Sequence, residues 1–171
     1  MPLVLNGTTG VQDNSGAFVA GTAVATTSGS SVVFTGIPSW VKRITFMFSG
    51  VSTNGAGSPM MVVQIGSGSL VTTGYLNACT TTGNGTSIQS FTNGFAVRGD
   101  QNPAAVVSGT TTLTLFNAST NTWVQSGVSA QTVTPYIFSS AGVLALSGTL
   151  DRVALVTTDT FDAGSINILY E

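Results

Sequence analysis

The chain has 171 residues, a formal net charge of −2 and no histidine, and only 6% of its residues are charged, against roughly a quarter in an ordinary soluble domain. Four basic residues cannot lay down the electrostatic footprint that nucleic acid requires, so that partner is excluded. Without histidine the Ser-His-Asp and Cys-His catalytic arrangements are excluded, and with a single cysteine so is a structural zinc site.

This length predicts one domain with a substantial core. The 21 glycines, the abundance of Ser, Thr and Val and the scarcity of Glu, Lys, Gln and Arg predict strands and tight turns rather than helices. Mean hydropathy is +0.40, yet no run of ~18 apolar residues occurs, so no helix is expected to span a bilayer. A transmembrane barrel would need strands of ~10 residues, aromatic girdles and a signal peptide, so no membrane insertion is expected. The opening Met1-Pro2-Leu3-Val4-Leu5-Asn6-Gly7 lacks the basic region and apolar core of a secretory signal. Cys79 has no intrachain partner and reads as a small buried residue. Both features predict synthesis in a reducing cytoplasm. So few charges give little protection against self-association, so the surface is expected to be covered by copies of the chain or by other subunits.

In chain order, residues 1–16 read as an N-terminal arm or linker and residues 17–171 as the folded domain. Ala17 to Val24 is a weak edge strand interrupted by Gly21, and Val32 to Phe34 a short apolar strand. Gly36-Ile37-Pro38-Ser39 turns the chain into the strongest strand, Trp40 to Ser49. There Ile44, Phe46 and Phe48 share the face that belongs in the core, and Val41, Arg43, Thr45 and Met47 share the other. After a small-residue loop from Gly50 to Ser58, Met60 to Ile65 is apolar on both faces. That pattern implies burial on both sides, by a second sheet or by a subunit contact. Val41, Arg43, Met47, Met61 and Val63 are therefore the candidate interface.

Leu70 to Tyr75 and Ser87 to Val97 read as strands, the second broken at Asn93-Gly94, with Thr80 to Thr86 as a polar tip between them. Arg98 to Pro103 is a loop. Thr110 to Phe116 is a strand with Leu113 and Leu115 on one face. Asn117 to Asn121 turns it into Thr122 to Gln125, anchored in the core by Trp123. Thr134 to Phe138 and Val143 to Leu146 follow. The last stretch, Leu150 to Glu171, reads as two strands and a loop. Val153 and Leu155 oppose Arg152, Ala154 and Val156; Thr157 to Gly164 connects; then Ser165, Asn167 and Leu169 alternate with Ile166, Ile168 and Tyr170. The sum is an all-β, jelly-roll-like β-sandwich of about ten short antiparallel strands. No fixed-period repeat points to a propeller or β-helix.

Chemistry is sparse. The D-x-x-D spacing of Asp159 and Asp162 suggests a calcium site or a glycosidase pair, but each is expected to cap a turn. Arg98-Gly99-Asp100 spells an integrin tripeptide and is expected to form a local turn with an Arg–Asp pair of small value. The Asn-x-Ser/Thr triplets at Asn6, Asn84 and Asn117 are expected to be turns. Lys42 and Arg43 beside Trp40 suggest a patch for an acidic sugar; the preferred expectation is two charges that reach solvent or pair with Asp151 or Asp159. No catalytic residue, metal or cofactor is assigned. Candidate contacts are loop tips expected at one end of the fold: Thr82 and Asn84, Arg98 and Asp100, Asn117 and Asn121.

One set of segments resembles a domain common in tailed-bacteriophage virion proteins. It comprises Phe34-Thr35-Gly36-Ile37-Pro38-Ser39-Trp40-Val41-Lys42-Arg43-Ile44-Thr45, Phe48-Ser49-Gly50-Val51-Ser52-Thr53-Asn54-Gly55 and Val71-Thr72-Thr73-Gly74-Tyr75. Leu113-Thr114-Leu115 with Trp123-Val124, and Leu146-Ser147-Gly148-Thr149-Leu150-Asp151-Arg152-Val153, belong to it too. The ending Asp159-Thr160-Phe161-Asp162-Ala163-Gly164-Ser165-Ile166-Asn167-Ile168-Leu169-Tyr170-Glu171 carries the resemblance most strongly. It implies a non-enzymatic virion structural role, made in the host bacterial cytoplasm. Two forms are open: a tail-fibre-like adhesion or tail component acting as a homotrimer on a host surface glycan or protein, or a decoration (cement) protein on the major capsid protein. No binding residue is carried over from the resemblance.

Overall fold

Period-2 alternation governs the long strands, and the structure, a computed structural model, shows no helix among the residues it describes (5–6, 10–11, 18–55, 60–98, 105–132 and 135–171). The strands are β1 (Leu5–Asn6), β2 (Gly10–Val11), β3 (Val19–Ala20), β4 (Val24–Ala25), β5 (Ser31–Thr35), β6 (Arg43–Thr53), β7 (Met61–Ser67), β8 (Ser69–Leu70), β9 (Leu76–Gly83) and β10 (Gly85–Phe91), then β11 (Phe95–Arg98), β12 (Val107–Asn117), β13 (Thr122–Gln131), β14 (Tyr136–Ala145), β15 (Arg152–Thr157) and β16 (Phe161–Tyr170). β1 and β2 pair with each other. A nine-stranded sheet runs β10-β9-β14-β13-β12-β6-β16, with β3 and β4 both along the far edge of β16. A five-stranded sheet runs β11-β7-β15-β5, with β8 on β7. The two antiparallel sheets pack as a β-sandwich. The large sheet is organised around the consecutive meander β12–β13–β14 and the β9–β10 hairpin, and a jelly-roll order is not evident in it.

Several elements are longer than local composition suggested. β6 runs through Gly50, which adopts φ +65°, because bulges opposite Ala163 and Ser165 of β16 absorb the irregularity. Thr80 to Thr86 is no loose tip: it is the turn of an uninterrupted β9–β10 ladder. The two separate pieces expected at 134–146 are one strand, β14, paired along its length with β13. Leu70 to Tyr75 is mostly loop after β8, and Tyr75 is buried there, its hydroxyl accepting from the Ile65 N–H at 2.9 Å and donating to the Val71 carbonyl at 3.0 Å. Burial pushes that hydroxyl up to about 12. Five strands reach 10 or 11 residues, the length a barrel strand would need. They lie, however, in an open sheet wrapped on a core.

The main core joins Ile44, Phe46 and Phe48 of β6, Leu113, Trp123, Ile166 and Ile168 to Met61, Val63, Ile65, Phe95, Val153 and Leu155 of the small sheet. Phe46 stacks on Phe48 at 5.5 Å and meets Phe34 edge-on at 5.7 Å. Val62 and Ala96, on the opposite side of the small sheet, share a second cluster with Cys79, Phe91 and Phe138. The chain thus covers both faces of β7 itself.

Two of the sequence expectations are corrected here. Met61 and Val63 are fully buried core residues, because β7 lies between β11 and β15 with both faces enclosed. Val41 is also core, 3% exposed. The turn set by Pro38, whose carbonyl accepts from the Val41 N–H at 3.1 Å, delays the strand until Arg43 and points Val41 inward.

Candidate functional site

The inner face of the large sheet is less apolar than a sandwich core usually is, and its polar residues have a specific task. Among the described strands β11 bonds to β7 alone. Its other edge is met by side chains of the large sheet. Asn77 Oδ1 accepts from the Ala96 N–H at 2.9 Å, the Ser140 hydroxyl donates to the Ala96 carbonyl at 2.7 Å, and the Ser129 hydroxyl donates to the Val97 carbonyl. Gln125 ties them together, donating to Thr111 Oγ1 at 2.6 Å and Ser140 Oγ at 2.9 Å while its Oε1 accepts from Asn77 Nδ2 at 3.2 Å. Buried backbone groups must find partners; here side chains replace a neighbouring strand. The network is structural and closes an edge.

The outer face of the same sheet is where the molecule departs most from an ordinary surface. Across β9, β10, β12, β13 and β14 no residue is charged. Thr, Ser and Ala are interspersed with solvent-facing Leu76 (72% exposed), Ile88 (73%), Val128 (54%) and Ile137 (52%). The registers Leu76–Val143–Val124–Thr114 and Ile88–Thr80–Ser139–Val128–Thr110 carry this surface across five strands. Such a continuous uncharged sheet face is the kind of surface that other subunits cover.

Of the candidate interface residues, Met47 and Arg43 lie on this outer side of β6, half-buried and exposed respectively. Arg43 pairs with Glu171, not with Asp151 or Asp159, since β16 brings the chain end beside β6; the Arg43 and Lys42 N–H groups both donate to the Glu171 carbonyl. Trp40 packs on Tyr170 at 5.9 Å. Asp151 pairs instead with its neighbour Arg152 at 2.8 Å and accepts from the Gly68 N–H. The Arg152 guanidinium beside it and that N–H hold its carboxyl below the usual range.

The loop tips do not converge. Thr82 pairs with Ile137, and Ile137 with Ala130, placing Thr82 and Asn84 at one end. Asn117 pairs with Thr122, and Thr122 with Ala145, placing Asn117 and Asn121 at the other. Asn84 joins Thr81, Thr86, Ser87 and Tyr136 around an open recess of about 230 Å³. Arg98 is corrected outright. It ends β11, is fully buried and donates to the Ala105 carbonyl at 3.3 Å, because the small-sheet edge carries it inside. Asp100 lies outside the described residues. Asn117 forms the expected turn, accepting from the Ser119 N–H at 2.9 Å.

Asp159 and Asp162 serve separate partners: Asp159 Oδ1 accepts from the Thr160 N–H at 2.8 Å, and Asp162 accepts from the Ser52 hydroxyl. Among the described residues no three His, Cys, Asp or Glu gather as metal ligands. Cys79 sits in the second cluster, and burial raises its thiol to about 11.

The outer-face residues Leu76, Ile88, Val128 and Ile137 were missed by sequence reasoning. The available signal was that both alternating sets of these strands lack charge, so alternation alone did not separate inside from outside. Comparison with protein-family models, curated proteins and solved structures returned no match.

Proposed function

We propose that the chain is a structural subunit of a tailed-bacteriophage particle: a tail-fibre-like adhesion or tail component that assembles as a homotrimer. One observation carries this reading, the charge-free outer face spanning five adjacent strands. A surface of that composition has little to keep neighbours apart, and a closed cyclic assembly would cover it without leaving an open-ended contact. The sequence resemblance to virion domains supplies the biological setting. The recess around Asn84 and Tyr136, lined by hydroxyl, amide and one aromatic group, supports contact with a host surface glycan.

The breadth of the same face, five adjacent strands, favours a second reading, a decoration protein lying on the major capsid protein. Imaging of particles carrying a labelled copy separates the two, since tail labelling supports the first and labelling of the whole shell supports the second. Light scattering at high concentration tests the assembly. A monodisperse monomer that binds neither cells nor capsids removes the proposal.

A further inference from the structure

At the end of the sandwich marked by Asn117 and Asn121, backbone hydrogen bonds tie three segments together. The Leu115 N–H donates to the Lys42 carbonyl at 2.8 Å, the Leu146 N–H to the Asn121 carbonyl at 3.1 Å and the Ile37 N–H to the Asp151 carbonyl at 3.0 Å. Between these segments lies a recess of about 70 Å³, roughly two waters' worth of space or more. Trp123 forms part of its wall. That ring is 2% exposed, and among the described residues its buried indole N–H meets no acceptor. An indole N–H can only donate, and a buried donor unmatched within the protein points to an acceptor on a ligand. The polar side chains around the recess are Ser39, Lys42, Asn121 and Thr149, and no carboxylate lines it. Lys42 is exposed, and among the described residues no carboxylate pairs with it: Arg43 takes Glu171 and Arg152 takes Asp151.

We infer that this recess binds the carboxylate of an acidic sugar, a uronic acid. The ammonium of Lys42 and the indole N–H of Trp123 are donors with no accepting capacity, so together they select a group that only accepts and carries negative charge. The space suits a carboxylate and the carbon that bears it, with the rest of the ring at the mouth. There Ser39, Asn121 and Thr149 offer hydroxyl and amide groups to sugar hydroxyls, and Val41 and Leu150 offer an apolar wall to the ring's C–H groups. These three polar side chains favour a sugar over an acidic peptide side chain, which would use Lys42 and Trp123 and leave the others idle. The site lies at the opposite end of the large sheet from the Asn84 recess. It rests on neither that recess nor the assembly proposed above, and each can fail without the other.

The test uses the full chain labelled with nitrogen-15, whose two indole N–H resonances are assigned with Trp40→Phe. Galacturonate or glucuronate should shift the Trp123 indole resonance saturably. Galactose and glucose, which lack the carboxylate, should bind about tenfold more weakly or worse. Lys42→Gln should weaken uronate binding by about tenfold while leaving the circular dichroism spectrum unchanged, since the side chain is exposed. Asn121→Gly removes the carboxamide but accepts the φ of +48° found there, so it should weaken uronate binding by about threefold or more in a folded protein. The inference is overturned if neither uronate moves the Trp123 resonance, or if the neutral sugars move it as strongly. It is also overturned if Lys42→Gln binds uronate as well as the unsubstituted chain. Binding of N-acetylglutamate amide as tight as that of the uronates would overturn it too, making the recess a seat for an acidic side chain.

Discussion

Asn77 offers the sharpest perturbation of the fold. Its carboxamide accepts from the Ala96 N–H at 2.9 Å and donates to Gln125 Oε1 at 3.2 Å and to the Ala141 carbonyl at 2.8 Å. Asn77→Ala leaves the Ala96 N–H and Gln125 Oε1 buried without these partners. Each such group costs about 1–3 kcal/mol, so the expected loss is about 3–5 kcal/mol, at the upper end for a single substitution. Asn77→Asp is more discriminating. The introduced carboxyl can still accept from Ala96, but its second oxygen faces two acceptors in a buried site, which favours the protonated form and raises its folded-state pKa. A raised carboxyl pKa means no penalty below the unfolded value of about 3.9, and a penalty that grows as pH rises through the folded value. Relative to the unsubstituted protein, Asn77→Asp should therefore be more stable at pH 4 than at pH 7. Urea titrations with matched slopes, combined with exchange of the Ala96 amide, measure both effects. If Asn77→Ala costs less than about 1 kcal/mol and leaves Ala96 equally protected, the side chains are not what closes the β11 edge, and the edge-closure reasoning fails.

Other outcomes follow from the same structure. Cys79, with its thiol pushed up to about 11 by burial, should react with a thiol reagent at pH 8 only as fast as the chain opens, and at once in denaturant; equal rates would contradict the burial. The lowered Asp151 carboxyl, held by Arg152, contributes stability that is present above the ordinary carboxylate range and lost as pH falls through its folded value. Asp151→Asn should remove that part of the acid sensitivity of Tm. Gly164 adopts φ +94°, and a Cβ there would lie 2.4 Å from the Gly50 carbonyl oxygen. Gly164→Ala should therefore cost about 2 kcal/mol or more in denaturant unfolding, whereas Gly29→Ala, whose Cβ meets nothing within 4 Å, should cost only its backbone strain. Glu171→Ala breaks a partly exposed pair with Arg43, so it should change stability by less than about 1 kcal/mol, and less still in high salt.

What the sequence by itself determined is what depends on neighbours along the chain. The absence of helix, the strand cores at Ile44, Phe46 and Phe48 and at Val153 and Leu155, and the anchoring Trp123 all follow from alternation. So do the turn at Asn117 and the capping by Asp159, which side chains close in sequence decide. Tertiary structure alone decided where a strand's two faces go and which ends of the molecule its loops occupy. The apolar alternation of β7 was legible, but only the sheet around it shows that Met61 and Val63 are covered by their own chain. A charged Arg98 read as a loop tip is buried because the small sheet carries it inside, and Asn77, Gln125 and Ser140 read as polar strand positions until β11 is laid across them. Across β9, β10, β12, β13 and β14 both faces of the large sheet are uncharged, so polarity could not mark which one met water; only pairing between residues far apart in sequence settled it.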